Sequence, residues 1–219
     1  MTFNDIFKSG FLENISSVSL LDMVLALTLS FCLGLFIFMP WQGSAEYTMT
    51  AVHSPAFTFA VRIPGYAKNA VIRVNGEEIS PEIREGYAYI SRSWQAGDTV
   101  RVTFNMPVRR LRADPRVRDA AGRVALTRGP IIYCFESTDN GQDLSCLRLP
   151  RDAEVRVLPY DSALLSGVVL LEADALRQQP PARLYTEDPP QETPVSLRAI
   201  PYYAWSNRGE NEMSVYIRE

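Results

Sequence analysis

Hydrophobic and polar positions change their period once along this chain. From Met23 to Met39 the sequence runs MVLALTLSFCLGLFIFM, uncharged and apolar on every face, and Leu20 and Leu21 extend it across Asp22. A helix that is hydrophobic all round needs lipid or a large core, and crossing about 30 Å of hydrocarbon takes about 20 residues. The run therefore predicts an N-terminal hydrophobic helix within residues 1–39, entering a membrane through residues 20–39. The alternative is a secretory signal peptide cleaved at Gly43-Ser44-Ala45. The long, sparsely charged segment before the run, and the length of the run itself, favour a retained helix. Lys8 is the nearest basic residue before the run and Arg62 the first after it, so the positive-inside bias is weak. A membrane-anchored protein is expected, with the side of its body open and a secreted or cytoplasmic protein as the alternative.

After Pro40 the pattern becomes strict alternation. In FTFAVRI, Phe57, Phe59, Val61 and Ile63 point one way while Thr58, Ala60 and Arg62 point the other, as a half-buried strand requires. In TVRVTFNM, Val100, Val102, Phe104 and Met106 share a face. VIRV leads into Asn75-Gly76, a dipeptide suited to a type I′ hairpin turn, with Gly86 to Ile90 as the expected return strand. RVALTRGPIIYCFE reads as two strands broken at Gly129-Pro130, and GVVLLEA and EMSVYIRE supply more. Asp174 to Gln179 is the one candidate helical turn, and the Pro-rich, charged stretch Gln178 to Pro194 reads as a loop. The expected fold is mainly β, with two β-sandwich domains over residues 40–107 and 108–219.

Composition sharpens this division. All 15 Pro and every Arg lie from Pro40 onward. A net charge of −3 offers no general attraction to phosphate backbones, so nucleic acid is not expected as a partner. Three Cys and one His are too few for the usual four-ligand zinc sites, and no metal or cofactor is expected. Between Arg109 and Arg123 the chain carries Arg109, Arg110, Arg112, Arg116, Arg118 and Arg123, with Asp114 and Asp119 between them. This crossing is either a patch for an anionic ligand or a connector pairing with carboxylates, and the second is favoured.

No catalytic residue stands out. Cys32 lies in the apolar run, Cys134 sits in a strand where a small buried thiol is the normal occupant, and Cys146 follows a polar loop from which a disulfide to Cys134 is conceivable. Glu77-Glu78 and Glu187-Asp188 are adjacent acids in turns, where solvation is the ordinary fate, although a carboxylate pair would make a small hydrolase. His53, the sole imidazole, reads as a surface residue. The aromatic residues Trp41, Tyr66, Tyr202, Tyr203 and Trp205 are candidate substrate-binding faces for sugar rings. Trp94 reads as packing, and the Tyr202 to Trp205 block is equally a candidate for sealing a domain seam.

The order of motifs carries a resemblance. Met39-Pro40-Trp41-Gln42-Gly43, RIPGYA, Val74-Asn75-Gly76, GYAYISRSWQAGDTV, Met106-Pro107-Val108-Arg109, GRVALTRGPIIYCFE and IPYYAWSNRG follow one another as in the C-terminal half of glycoside hydrolase family 127, the β-L-arabinofuranosidase family. The chain resembles that family over about residues 39–219. Residues 1–38 resemble the start of a family of bacterial multi-pass membrane proteins of unknown function.

The first resemblance implies two β-sandwich domains that normally follow a helical catalytic barrel. It also implies a retaining mechanism with a Cys thiolate nucleophile beside a zinc held by Cys and Glu, and a further Glu as acid/base. Those motifs belong to the barrel, and no position here matches them. The expectation is a noncatalytic β-sandwich portion, inactive alone, whose packing partner is the missing barrel and whose ligand is an arabinose-containing glycan. A membrane-tethered carbohydrate-binding module is the alternative.

Overall fold

The computed structural model describes residues 41–50, 56–67 and 69–219. The expected hydrophobic helix and His53 therefore lie outside the described residues. Among the described residues no helix is long and apolar enough to cross a membrane.

Seven strands come first: β1 (Ser44–Thr48), β2 (Ala56–Arg62), β3 (Val71–Val74), β4 (Glu77–Ile79), β5 (Glu82–Arg84), β6 (Tyr87–Ser93) and β7 (Thr99–Thr103). They form an antiparallel four-stranded sheet in the order β1-β7-β3-β4 and a three-stranded sheet β2-β6-β5. The alternation read from the sequence decides which faces are buried. Val100, Val102, Phe104 and Met106 are buried, as are Ile72 and Val74 from the same sheet and Val61, Ala88 and Ile90 from the other. The Tyr47 ring meets the Phe59 ring edge-on at 5.4 Å, joining β1 to β2. Trp94 is buried as expected, and its indole N–H donates to the Phe57 carbonyl at 3.0 Å.

The Asn75-Gly76 turn is present, with φ of 51° and 86° at its two residues. Its return strand differs from the one expected. β3 pairs with β4, which follows directly, while Tyr87–Ser93 pairs with β2 and β5 in the other sheet. A two-residue turn leaves room only for the adjacent segment to fold back, so the more apolar Gly86 to Ile90 stretch was free to pair elsewhere.

The remaining elements are β8 (Val108–Leu111), β9 (Arg123–Arg128), β10 (Ile131–Glu136), a single helical turn α1 (Ser137–Asn140), β11 (Leu147–Arg148), β12 (Val155–Asp161), β13 (Val168–Gln178), β14 (Glu192–Pro201), β15 (Met213–Ser214) and β16 (Ile217–Arg218). Their pairing closes on itself: β9 with β10, β10 with β14, β14 with β13, β13 with β11, β11 with β16, and β16 back to β9. β8, β12 and β15 attach outside this ring. All six ring strands contribute to one buried cluster, including Leu126, Phe135, Leu147, Leu171, Leu197 and Ile217. Where separate facing sheets were expected, the hydrogen bonding runs continuously around this core, which leaves fewer open edges.

Asp174 to Gln179 is not helical. It continues β13, whose residues pair with β14 along the whole hairpin, and Leu171, Ala173 and Ala175 alternate inward. Two strands that already bond in register extend more readily than an isolated helical turn ahead of Pro180 can nucleate. The Pro-rich loop is shorter than expected for the same reason, since β14 begins at Glu192.

The two strand sets meet at Gly129, in the β9–β10 turn. A Cβ there would lie 2.6 Å from Met106 Sδ, and the Tyr66 ring stands close by. With a φ of +55°, the position is one that glycine fills without strain.

Candidate functional site

The aromatic candidates divide into two places. β14 ends at Pro201, which pairs with Tyr133 of β10, and the chain then makes a single 3₁₀ turn over Tyr202–Ala204. Ala204 is buried beneath the turn, which leaves the larger side chains outside: Tyr202 is 45% exposed, Tyr203 62% and Trp205 41%. The Tyr202 and Trp205 rings stack with centroids 6.4 Å apart and planes 11° from parallel. Two parallel exposed rings present an extended apolar face with polar rims, a surface suited to sugar rings.

Trp41 and Tyr66 lie elsewhere, along the seam between the strand sets. The Trp41 ring is 6.3 Å from the Tyr160 ring, and its carbonyl accepts from Arg128 at 3.3 Å. Tyr66 is half-buried beside Gly129, and that burial pushes its phenol pKa up. The Tyr203 phenol pKa is raised first by burial and then by Tyr160.

The exposed turn is held by a buried ion cluster that sequence reasoning missed. The Glu136 side chain is fully buried at the end of β10. One of its oxygens accepts from Arg208 Nε and Nη2. The other accepts from the Ser206 backbone N–H at 3.0 Å and from Asn211 Nδ2 at 3.3 Å. Arg208 also donates to Asp139 of α1, at 2.9 and 2.5 Å. Residues on both sides of Asn207 are thus tied to β10 immediately after the aromatic turn. The available signal was an acid ending an otherwise apolar strand, with an Arg in the last polar motif.

This cluster sits beside Cys134, and a Cys and a Glu so close invite comparison with a thiolate–zinc centre. The residues do not fit one. Burial pushes the Cys134 thiol up to about 12, Glu136 adds to the rise, and Arg208 only partly offsets it, so the sulfur stays protonated. The Glu136 oxygens are occupied by donors, and the cationic Arg208 stands where a metal would have to approach. Among the described residues no group of His, Cys, Asp and Glu is arranged to hold a metal ion. Cys134 and Cys146, whose pairing the sequence left open, are both free.

One of the candidate acids and part of the Arg crossing are paired. Glu78 meets Arg73 at 3.0 Å on an exposed hairpin, and Glu187 and Asp188 lie exposed in the loop. Arg110 and Arg112 converge on the Glu219 side chain at 3.1 and 2.5 Å, and Arg110 also donates to the carbonyls of Pro150 and Ala153. Arg109 reaches the Gly129 carbonyl, and Arg116 pairs with Asp114.

Fold and site together define an all-β body that presents a stacked aromatic pair on a pinned turn and keeps its Cys134 thiol buried and protonated. The chain belongs to glycoside hydrolase family 127. Residues 32–106 match the β-L-arabinofuranosidase GH127 middle domain, and residues 108–218 match the family 127 C-terminal domain. The middle-domain match begins inside the apolar run, upstream of the start near residue 39 read from the motifs.

A non-reducing end β-L-arabinofuranosidase of Bifidobacterium longum subsp. longum is 36% identical over an alignment that takes in 82% of this chain and 29% of the enzyme. Among solved structures, a GH127 β-L-arabinofuranosidase from Geobacillus stearothermophilus T6 is similar with a TM-score of 0.78 and 46% identity, over 82% of this chain and 29% of that one. A GH127 β-arabinofuranosidase matches at 0.73 and 33% identity, over 83% of this chain and 30% of its own. The chain thus spans under a third of the length of these relatives.

Proposed function

We propose that residues 40–219 are the noncatalytic β portion of a β-L-arabinofuranosidase, organised as two β domains over 40–107 and 108–219. It supports a helical catalytic barrel and offers aromatic surface to an arabinose-containing glycan. The observation that carries this reading is the middle and C-terminal domain matches in order, over a body whose one strand cysteine is buried and held protonated. The stacked Tyr202 and Trp205, with Tyr203 beside them, form the glycan-facing surface, while Trp41 and Tyr66 brace the seam behind it. Membrane anchoring through residues 20–39 belongs to the proposal on the strength of the apolar run alone.

Two measurements test it. The purified chain, incubated with a β-L-arabinofuranosyl substrate, is expected to release no arabinose, and release above the buffer rate overturns the noncatalytic reading. Titration with arabinose-containing oligosaccharides is expected to change Trp fluorescence in the parent chain and not in Trp205→Ala, whereas equal responses sink the assignment of the stacked pair. For the anchor, the expected result is recovery in the membrane pellet after alkaline carbonate extraction, and full release into the supernatant discards it.

A further inference from the structure

A pocket beside β15, β16 and the start of β9 carries a different chemistry. It has a volume of about 120 Å³, and its lining includes Arg123, Arg218, Glu212, Ser214 and Tyr216. Its cations come from strand pairing. Arg123 of β9 and Arg218 of β16 stand directly opposite each other, and Arg218 is in turn opposite Arg148 of β11. Three guanidinium groups are thus placed in a row on neighbouring strands, an arrangement that costs free energy unless anions answer it.

Only one of the three is answered directly. Arg148 is gripped by Glu192 through two bonds of 2.9 and 2.6 Å. Arg218 donates through Nη2 to the Ser145 carbonyl, and its Nε is buried with no acceptor. Among the described residues no carboxylate comes within ion-pair distance of Arg123 or Arg218, although Glu192 acts on Arg218 at longer range. Arg123 is also the member of the Arg-rich crossing that lines a pocket rather than joining the pairs around Glu219 and Asp114.

The pocket also holds one acid. Both oxygens of Glu212 lie 3.0 to 3.1 Å from the Leu144 backbone N–H, which fixes the carboxylate at the wall. A fixed carboxylate repels an anion that has nothing to donate, such as sulfate, and accepts a hydrogen bond from a ligand that carries a hydroxyl beside its charge. The Ser214 hydroxyl, which already donates to the Tyr216 carbonyl at 2.6 Å, has lone pairs left to accept. The Tyr216 ring, 37% exposed, supplies an apolar face.

We propose that this pocket binds a sugar acid, its carboxylate on Arg123 and Arg218 and an adjacent hydroxyl donating to Glu212. The cavity admits the carboxylate end and its neighbouring hydroxyls while the rest of the ring projects outward. The oxyanion half of this assignment stands on the pocket, and the saccharide half rests on the glycan reading above. The site is distinct from the Tyr202–Trp205 surface and predicts that an acidic residue of the glycan is held apart from the arabinose units.

Isothermal titration calorimetry on the full 219-residue chain tests it with D-galacturonate, D-galactose, acetate, sulfate and a short Asp-containing peptide. D-Galacturonate is expected to bind, with D-galactose, acetate and sulfate each at least tenfold weaker. Arg123→Gln is expected to weaken it tenfold or more without moving the melting temperature, because that side chain makes no other bond. Glu212→Gln, whose amide oxygen still accepts from Leu144, is expected to narrow the gap between D-galacturonate and acetate. Equal binding of acetate, sulfate or D-galactose, tighter binding of the peptide, or an Arg123→Gln variant that binds like the parent overturns the assignment. Arabino-oligosaccharide titration of the parent separates the two sites: no Trp response while D-galacturonate still binds removes only the earlier reading, and a Trp response without D-galacturonate binding removes only this one.

Discussion

Arg208 donates to Glu136 across 72 residues of sequence, and the carboxylate it meets is wholly removed from solvent. The pair joins the loop that follows β14 to the C-terminal end of β10, and it holds the turn that exposes Tyr202 and Trp205. Its position between a hydrophobic core and an exposed aromatic face makes it the point where stability and the proposed glycan surface are coupled.

Breaking that pair from one side leaves an uncompensated buried charge, which costs about 3–5 kcal/mol. Arg208→Met is therefore expected to lower the unfolding free energy by that order in urea titrations. Removing Glu136 as well, in Glu136→Met/Arg208→Met, is expected to recover part of the loss, the remainder staying with Asp139 and the Ser206 N–H, which have lost their partners. A single variant as stable as the parent contradicts the buried-pair account.

The thiol of Cys134 is expected to be inert in the folded chain. With its pKa pushed to about 12 by burial and the nearby Glu136, almost none is thiolate at neutral pH, and the sulfur is also shielded. Iodoacetamide followed by peptide mass mapping should label the half-buried Cys146 first and Cys134 only after denaturant is added. Labelling of Cys134 at the same rate in the native state contradicts this.

Acid should destabilise the fold in a defined direction. Glu219 is held below the usual carboxylate range by Arg112 and then Arg110, Glu172 by Arg198 and then Arg156, and Glu192 by Arg148. Their folded pKa values lie below the unfolded value of about 4.3, so the unfolded chain binds more protons as acid is added. The stability these groups contribute is complete above that value and is lost as pH falls through the folded pKa values. Denaturant midpoints are expected to be flat near neutrality and to drop below about pH 4.3, with a shallower drop in Glu219→Gln.

The Asn75-Gly76 turn is tied to its neighbour, because Asn75 donates to Asp98 at 2.8 Å and accepts from the Thr99 N–H at 2.8 Å. Asn75→Ala removes both bonds and places a less tolerant residue at positive φ. A loss of about 1–3 kcal/mol is expected in thermal or chemical unfolding. Asn75→Gly, which loses the same bonds but adopts positive φ without strain, should lose less.

Local pattern alone determined much of this protein. Alternation at Val100, Val102, Phe104 and Met106 set the buried face of β7 and the residues after it. Asn75-Gly76 set a hairpin, and Gly129-Pro130 separated β9 from β10. These features were legible because each depends on a few adjacent residues: a period of two, or a backbone conformation few side chains accept.

Tertiary structure decided which edges meet. It closed β9, β10, β14, β13, β11 and β16 into a ring, drew Asp174 to Gln178 into a strand, and sent Tyr87–Ser93 to β2. It also chose the partners of the charges, joining Glu136 to Arg208 and Glu219 to Arg110, and stacked Tyr202 on Trp205 while leaving Trp41 and Tyr66 at the seam. A side chain's period shows which way it faces but not what stands opposite. That is settled only when segments distant in sequence are brought together and each buried charge must find its counterion.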